Sequence, residues 1–278
     1  MTNDRSTIPI DVAHLLPVLD NKLIAFLTNL QPRDWHRQTI AKQWKVKDVV
    51  AHLLDGNIRI LSMLRDGYAG VQPAPNQPLT VFLNELNADW VKAMKRVSAE
   101  MLLYLHQATG KLYCDYYASL DPFAISPFAV DWAGEQESFN WMHIAREYTE
   151  KWIHQQQVRD TLGDTVLMSK ELFYPFINIL MMALPHTYRN VSADDGTTVK
   201  VNVISEIGGG WNLLRQHGNW LLKKEVAQHP SAEVSIEPSI AWKLFSKSIR
   251  PDNIISGVKI EGNLPLGEVA LTMVSVMA

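Results

Sequence analysis

The sequence predicts two structural classes in one chain, an all-helical region followed by a smaller α+β region. Apolar residues recur at spacings of three and four up to about residue 165, which is the helical period. From Thr197 onward the pattern changes to alternation, with β-branched residues and glycine turns. A chain of 278 residues has room for two ordinary domains. We therefore predict a four-helix bundle over 1–165 and an α+β domain over 166–278.

The helical region is divided by proline, glycine and tryptophan-containing loops. We predict helices over about 11–30, 46–65, 79–107 and 135–162. Glycines follow the last three of these helices, at positions 67, 110 and 163. The aromatic and proline-rich segment 111–134 is predicted to be an ordered loop.

The second region is predicted to mix short helices and strands. We expect helices over about 169–183, 238–249 and 264–277, and strands over 197–205, 211–216, 220–226 and 258–261. The run Gly208-Gly209-Gly210 is interpreted as a turn, because it lacks the spacing of a nucleotide-binding glycine loop.

Composition excludes several classes of protein. The chain has 26 basic and 29 acidic residues, so it has no basic excess with which to bind a nucleic-acid backbone. No apolar stretch approaches the ~18 residues that span a bilayer. The first residues do not resemble a secretory signal, and the single cysteine, Cys114, excludes an intrachain disulfide. A cytoplasmic protein is therefore expected, with Cys114 packed in the interior.

A polar stripe on the fourth predicted helix is the most informative feature. His143, Glu147, Glu150 and His154 fall within ~60° of one another on a helix. Glu150 and His154 are four residues apart, which lets two side chains converge on one metal ion. The alternative is a solvated face of a surface helix. His143 and Glu147 either orient the ligands or are plain surface residues, and Trp152 could line a pocket beside them.

The second predicted helix offers a third ligand, His52. Two imidazoles and a carboxylate leave a coordination position open, as in catalytic metal sites. His52 lies off the apolar stripe of its helix, however, so taken alone it is expected to be an exposed histidine. Asp48, one turn earlier, could orient the imidazole, but we favour its interpretation as an acidic residue at a helix N-terminus.

Three parts of the sequence form a recognisable pattern: Trp35, the stretch Trp44-Lys-Val-Lys-Asp-Val-Val-Ala-His52-Leu, and the stretch Glu150-Lys-Trp-Ile-His154. Together they resemble the DinB-like superfamily, in particular its mycothiol-dependent maleylpyruvate isomerase branch. The resemblance implies a metal-binding four-helix bundle followed by a sterol-carrier-like domain. It also implies zinc or nickel held by His52, Glu150 and His154, with Arg250 as the catalytic cation for substrate carboxylates. Many relatives have an aspartate where this chain has Gln157.

The resemblance further implies a function. A divalent metal would activate a low-molecular-weight thiol, the cosubstrate, for attack on a small electrophilic and carboxylated molecule, as in an isomerase or a thiol S-transferase. The alternatives are a metal-dependent hydrolase and a non-enzymatic binding protein for a small ligand. The expected partners are small molecules only, without nucleic acid or membrane, and the chain is expected to be a monomer or homodimer. The second domain is expected to complete the active site; the alternative is a tether with a separate function.

Overall fold

The computed structural model describes residues 8–224, 229–254 and 256–275. Packing divides the chain into two compact units. The first comprises Met1–Ala124 and Glu150–Thr165, and the second comprises Ile125–Thr149 and Val166–Ala278. Residues 125–149, which we expected in the first domain, therefore pack within the second unit. The domain boundary at 165/166 stays a prediction.

The first unit is helical. Its helices are α1 (Leu16–Thr28), α2 (Val46–Ile60), α3 (Leu79–Met94), α4 (Ala99–Ala118) and the second half of α5 (Asn140–Leu162). Within this unit α2 packs against α3 and α4, and α4 packs against α1. The side chain of Gln155 on α5 donates to the backbone carbonyl of Leu19 on α1, at 3.0 Å. These contacts hold α5 beside the other helices of the unit.

The start and the apolar face of α2 follow directly from its sequence. Asp48 accepts a hydrogen bond from the backbone N–H of Lys45 at 3.0 Å, which confirms its interpretation as an acidic residue at the helix N-terminus. Val46, Val49 and Val50 are completely buried in the core. After Ile60 the helix continues through a π-helical turn, Leu61–Arg65.

The predicted helix over 79–107 was wrong, because two helices occupy this region. Ser98 begins α4, with its hydroxyl accepting from the N–H of Met101 at 3.1 Å. Gly110 does not end a helix but lies inside α4, and residues 111–118 are helical rather than a loop. A β-carbon at Gly110 would lie 2.3 Å from either carboxylate oxygen of Asp20, so any larger residue would require the Asp20 side chain to move.

The second unit combines a sheet with short helices. Its helices after α5 are α6 (Lys170–Leu180), α7 (Leu184–Thr187), α8 (Pro238–Phe245) and α9 (Leu264–Leu271). Among the described residues its strands are β1 (Thr198–Val203), β2 (Gly209–Gln216), β3 (Asn219–Lys223), β4 (Ala232–Ile236) and β5 (Val258–Gly262). They pair in the order β3-β2-β1-β4-β5. Only the β1–β4 pair among these is parallel.

This arrangement confirms the predicted fold class, a helical region followed by a small mixed-sheet domain. The strand β4 was not predicted, although its buried residues Ala232, Val234 and Ile236 alternate with polar ones. The ends of two predicted elements, Val226 and Met277, lie outside the described residues. None of the helices that the structure describes is long and apolar enough to cross a membrane.

Candidate metal centre

His52 on α2 and the pair Glu150 and His154 on α5 converge in the first unit. Oε1 of Glu150 lies 3.1 Å from Nε2 of His52 and 3.1 Å from Nε2 of His154. One donor atom from each of the three residues lies within 4.8 Å of the others. No other three histidine, cysteine or acidic side chains converge in this way in the described part of the chain. Two imidazole nitrogens and a carboxylate oxygen are a donor set that suits zinc and neighbouring transition ions.

The second nitrogen of His154 has a fixed partner. Its Nδ1 lies 2.9 Å from the amide oxygen Oε1 of Gln157, one helical turn further along α5. An amide oxygen only accepts hydrogen bonds, so Nδ1 carries the proton. In the neutral imidazole the lone pair is then on Nε2, the nitrogen that faces Glu150. Gln157 thus orients this ring through a neutral group.

The centre is open on the side of Glu150. The side chain of His52 is 8% exposed and that of His154 is 16% exposed, whereas that of Glu150 is 43% exposed. The expectation that His52 alone would be an exposed histidine was therefore wrong. The side chain of His52 lies off the apolar stripe of α2, but Glu150, His154 and Trp44 cover it within the unit.

Trp44 forms an aromatic wall beside the two imidazoles. Its ring centroid lies 4.8 Å from that of His52 and 6.1 Å from that of His154. Trp152, which we considered as a pocket-lining residue, is completely buried. The signal that singles out Trp44 was present in the sequence, because this residue belongs to the same short stretch as His52.

The three groups shift one another's pKa. Burial would raise the pKa of Glu150, but the two imidazoles outweigh it and hold this pKa well below its usual range. Burial would lower the pKa of His154, but Glu150 and Gln157 raise it above its ordinary value. Burial and the positive charge of His154 lower the pKa of His52 to about 4. Near neutral pH the centre therefore presents an ionised carboxylate and a neutral His52.

Arg59 is a nearby cation that we did not predict. It lies seven residues after His52, which places both on one face of α2 about two turns apart. Its positive charge contributes to the lowered pKa of His52. Its Nη2 lies 3.3 Å from Oδ2 of Asp55 and 3.3 Å from Oδ1 of Asn87. The seven-residue spacing was the sequence signal that could have identified it.

Three of the other sequence-predicted residues lie in the second unit. His143 and Glu147 are buried rather than on the surface, and each contacts Arg146 at 2.9 Å. Arg250 is exposed and precedes a short 3-10 helix, Pro251–Asn253. Its catalytic role stays a prediction. Cys114, in the first unit, is buried, as expected.

Comparisons with known proteins agree with this fold. The family model described as the mycothiol maleylpyruvate isomerase N-terminal domain matches residues 16–159, more than half of the chain. The structure of the mycothiol-dependent maleylpyruvate isomerase superposes with a TM-score of 0.56 and 11% identity, over 91% of this chain and 93% of that one. A mutant of that enzyme gives a TM-score of 0.55 and 10% identity over the same shares. None of the curated proteins compared is significantly similar in sequence.

The helical region and the three converging residues define a DinB-like protein with a candidate metal centre. The match over residues 16–159 goes further, and the chain belongs to the mycothiol maleylpyruvate isomerase N-terminal domain family. The structural likeness, at 10–11% identity, shows the shared fold alone.

Proposed function

We propose that this chain is a metal-dependent enzyme that activates a low-molecular-weight thiol for attack on a small, electrophilic and carboxylated molecule. The observation that carries the proposal is the convergence of His52, Glu150 and His154 within 4.8 Å, in a chain of this family. The solved relative is described as mycothiol-dependent, so mycothiol is the first thiol to test.

The residues of the centre fit a divalent ion, and His52, Glu150 and His154 would hold it. Three observations support this assignment: the mixed nitrogen and oxygen donor set, the fixed orientation of His154, and the half-exposed carboxylate that leaves one side open. When bound, a divalent ion with an open position stabilises a thiolate, and so raises the reactive fraction of a thiol whose free pKa is ~8.5.

The protein's own side chains have distinct roles in this proposal. Gln157 keeps the proton of His154 on Nδ1. Trp44 shields the two imidazoles from water on one side. A carboxylated substrate also needs a cation, for which guanidinium is well suited because it binds carboxylate in a bidentate way. Arg250 is the predicted cation, and Arg59 is a second candidate because its charge already acts on His52.

The chemistry follows from a thiolate and an activated double bond. The thiolate sulfur adds to one carbon of a conjugated double bond, and the electron pair moves onto the conjugated carbonyl. Rotation about the resulting single bond and departure of the thiolate give the isomer, with no net change in atoms. If a proton is instead taken up at the neighbouring carbon, the thioether adduct is the product of an S-transferase.

The test is an activity assay in which the metal, the thiol and the electrophile are varied independently. Zinc- and nickel-loaded protein is compared with metal-free protein, with mycothiol, glutathione or no thiol, on maleylpyruvate and other unsaturated carboxylates. We expect turnover that requires both metal and thiol, is lost in Glu150→Gln, and is kept in His14→Ala, which removes an exposed histidine of the same unit. Metal-dependent hydrolysis without thiol would favour the hydrolase. Absence of turnover together with binding of an apolar ligand would favour the binding protein.

A further inference from the structure

A small cavity lies inside the helical unit, between α1, α2, α4 and α5. Its volume is about 10 Å³. Leucines and Tyr113 form part of its wall, and the other lining residues are Asp20, Asn57, His106, Cys114, Lys151 and Gln155. A cavity of this size holds about one water molecule and nothing larger.

His106 lines this cavity and has an unsatisfied acceptor. The side chain is completely buried, and its Nε2 lies 3.0 Å from the backbone carbonyl oxygen of Val50. A carbonyl oxygen only accepts, so Nε2 carries the hydrogen. Burial lowers the pKa of His106 to about 4, so the ring is neutral near pH 7 and its Nδ1 is an acceptor. Among the described residues Nδ1 has no hydrogen-bond partner, which is unfavourable for a buried polar atom.

The other polar groups of the wall include both donors and acceptors. The ammonium of Lys151 donates to the carbonyl oxygen of Leu53 at 3.0 Å and to Oδ1 of Asn57 at 2.5 Å. Burial raises the pKa of the Cys114 thiol to about 12, so it is a protonated, weak donor. The Asp20 carboxylate supplies further acceptors. A cation would be repelled by Lys151 and an anion by Asp20 when it is ionised, which favours a neutral ligand.

We propose that this cavity is a binding site for one ordered water molecule, which donates a hydrogen bond to Nδ1 of His106 and a second to another acceptor of the wall. Buried waters typically make about three hydrogen bonds to otherwise unsatisfied polar groups. Only a small neutral molecule that both donates and accepts hydrogen bonds can pair with the polar groups of this wall. The proposal does not depend on the proposed function.

The location gives this water a structural role. Lys151 and Gln155 each directly follow a residue of the candidate metal centre on α5, and Leu53 directly follows His52 on α2. Successive residues of a helix are ~100° apart, so the two sites occupy neighbouring faces of the same two helices. The water therefore binds α4 through His106 and lies beside the two helices that carry the ligands.

The experiment uses the intact protein, in crystals and in solution. We expect electron density for one water within hydrogen-bond distance of His106 Nδ1, and oxygen-17 relaxation dispersion from a long-lived internal water. The variant His106→Phe should lose this water, whereas His106→Gln should retain it, because an amide can donate to Val50 and still offer an acceptor. Density for a metal ion, or a Cys114 thiol that donates directly to Nδ1 without water, would overturn the proposal. If His106→Phe does not fold, the electron density of the wild type and the oxygen-17 relaxation dispersion of His106→Gln still test the proposal.

Discussion

The two halves of α5 carry the same residue types at the same spacing and yet form different sites. In the first half, His143 and Glu147 are four residues apart, and both contact the guanidinium of Arg146 at 2.9 Å. In the second half, Glu150 and His154 are four residues apart, and they meet His52 of α2. The guanidinium engages lone pairs that a metal would need, whereas the second half has a third donor. An i,i+4 pair therefore indicates a metal site only when another helix completes it and no cation competes.

The largest expected effect is on metal affinity. Replacing His52 or His154 by alanine removes one of three donors and should weaken zinc binding by about 1,000-fold or more, or ~4 kcal/mol. The variants His143→Ala and His14→Ala should bind zinc like the wild type. Competition with a chelating dye measures the zinc affinity of these four variants and of the wild type. Equal losses in His143→Ala and His154→Ala would remove the distinction between the two halves.

Arg146, in the first half of α5, is expected to contribute to the stability of the fold. Glu147 is buried, so Arg146→Met leaves its carboxylate without this partner and should lower the free energy of unfolding by about 3 kcal/mol. Lys111→Met is the matched control, because the Lys111–Asp115 pair is mostly exposed and should contribute less than about 1 kcal/mol. Urea unfolding compares the two variants. A loss no larger than the control's would show that Arg146 does not hold this half together.

The two halves should also respond differently to pH in the metal-free protein. Burial lowers the pKa of His143 to about 4, whereas Glu150 raises that of His154 against the effect of burial. Between pH 6.5 and about 4 the unfolded chain binds a proton at position 143 that the folded chain does not. The free energy of unfolding therefore does not depend on the titration of His143 above pH 6.5. As the pH drops from 6.5 toward 4, it falls by up to about 3 kcal/mol, because only the unfolded chain binds the proton.

For His154 the sign is opposite. Its favourable interaction as a cation is present below pH 6.5 and disappears as the pH rises through its raised pKa. Carbon-13 NMR of the histidine rings gives both titrations separately. A common midpoint near 6.5 would contradict the different environments of these two histidines.

The smallest expected effect concerns the orientation of His154. Gln157→Leu removes the acceptor of its Nδ1–H and should weaken metal binding by about 10- to 100-fold. Gln157→Glu keeps an acceptor at this position and should retain the affinity. Isothermal titration with zinc measures both variants. If Gln157→Leu binds as tightly as Gln157→Glu, the hydrogen bond does not position the imidazole.

Local signals in the sequence were sufficient to predict some features that depend on a single helix. The start of α2 at Val46 and the end of α5 before Gly163 follow from apolar periodicity and a glycine stop. The choice of His52 as the third ligand came from the family resemblance rather than from periodicity, which pointed to an exposed side chain. Burial of His52 depends on α5 packing across α2, and that contact is 98 residues distant in sequence.

Several of the missed features depend on tertiary packing. Gly110 has the local appearance of a helix end, but its role is set by the approach of Asp20 from another helix. The strand β4 is five residues long and gains its place in the sheet by parallel pairing with β1, more than 25 residues earlier. Arg59 and Trp44 were visible in the sequence, but their relation to the imidazoles required the folded arrangement of the first unit.

The central claim is that His52, Glu150 and His154 together hold one metal ion. A crystal structure of the zinc-loaded protein, with anomalous diffraction measured at the zinc edge, tests it most directly. We predict one anomalous peak at ~2.0–2.2 Å from Nε2 of His52, Nε2 of His154 and a carboxylate oxygen of Glu150. A peak beside His143 and Glu147, or no peak at these three residues in protein that binds zinc, would contradict the account.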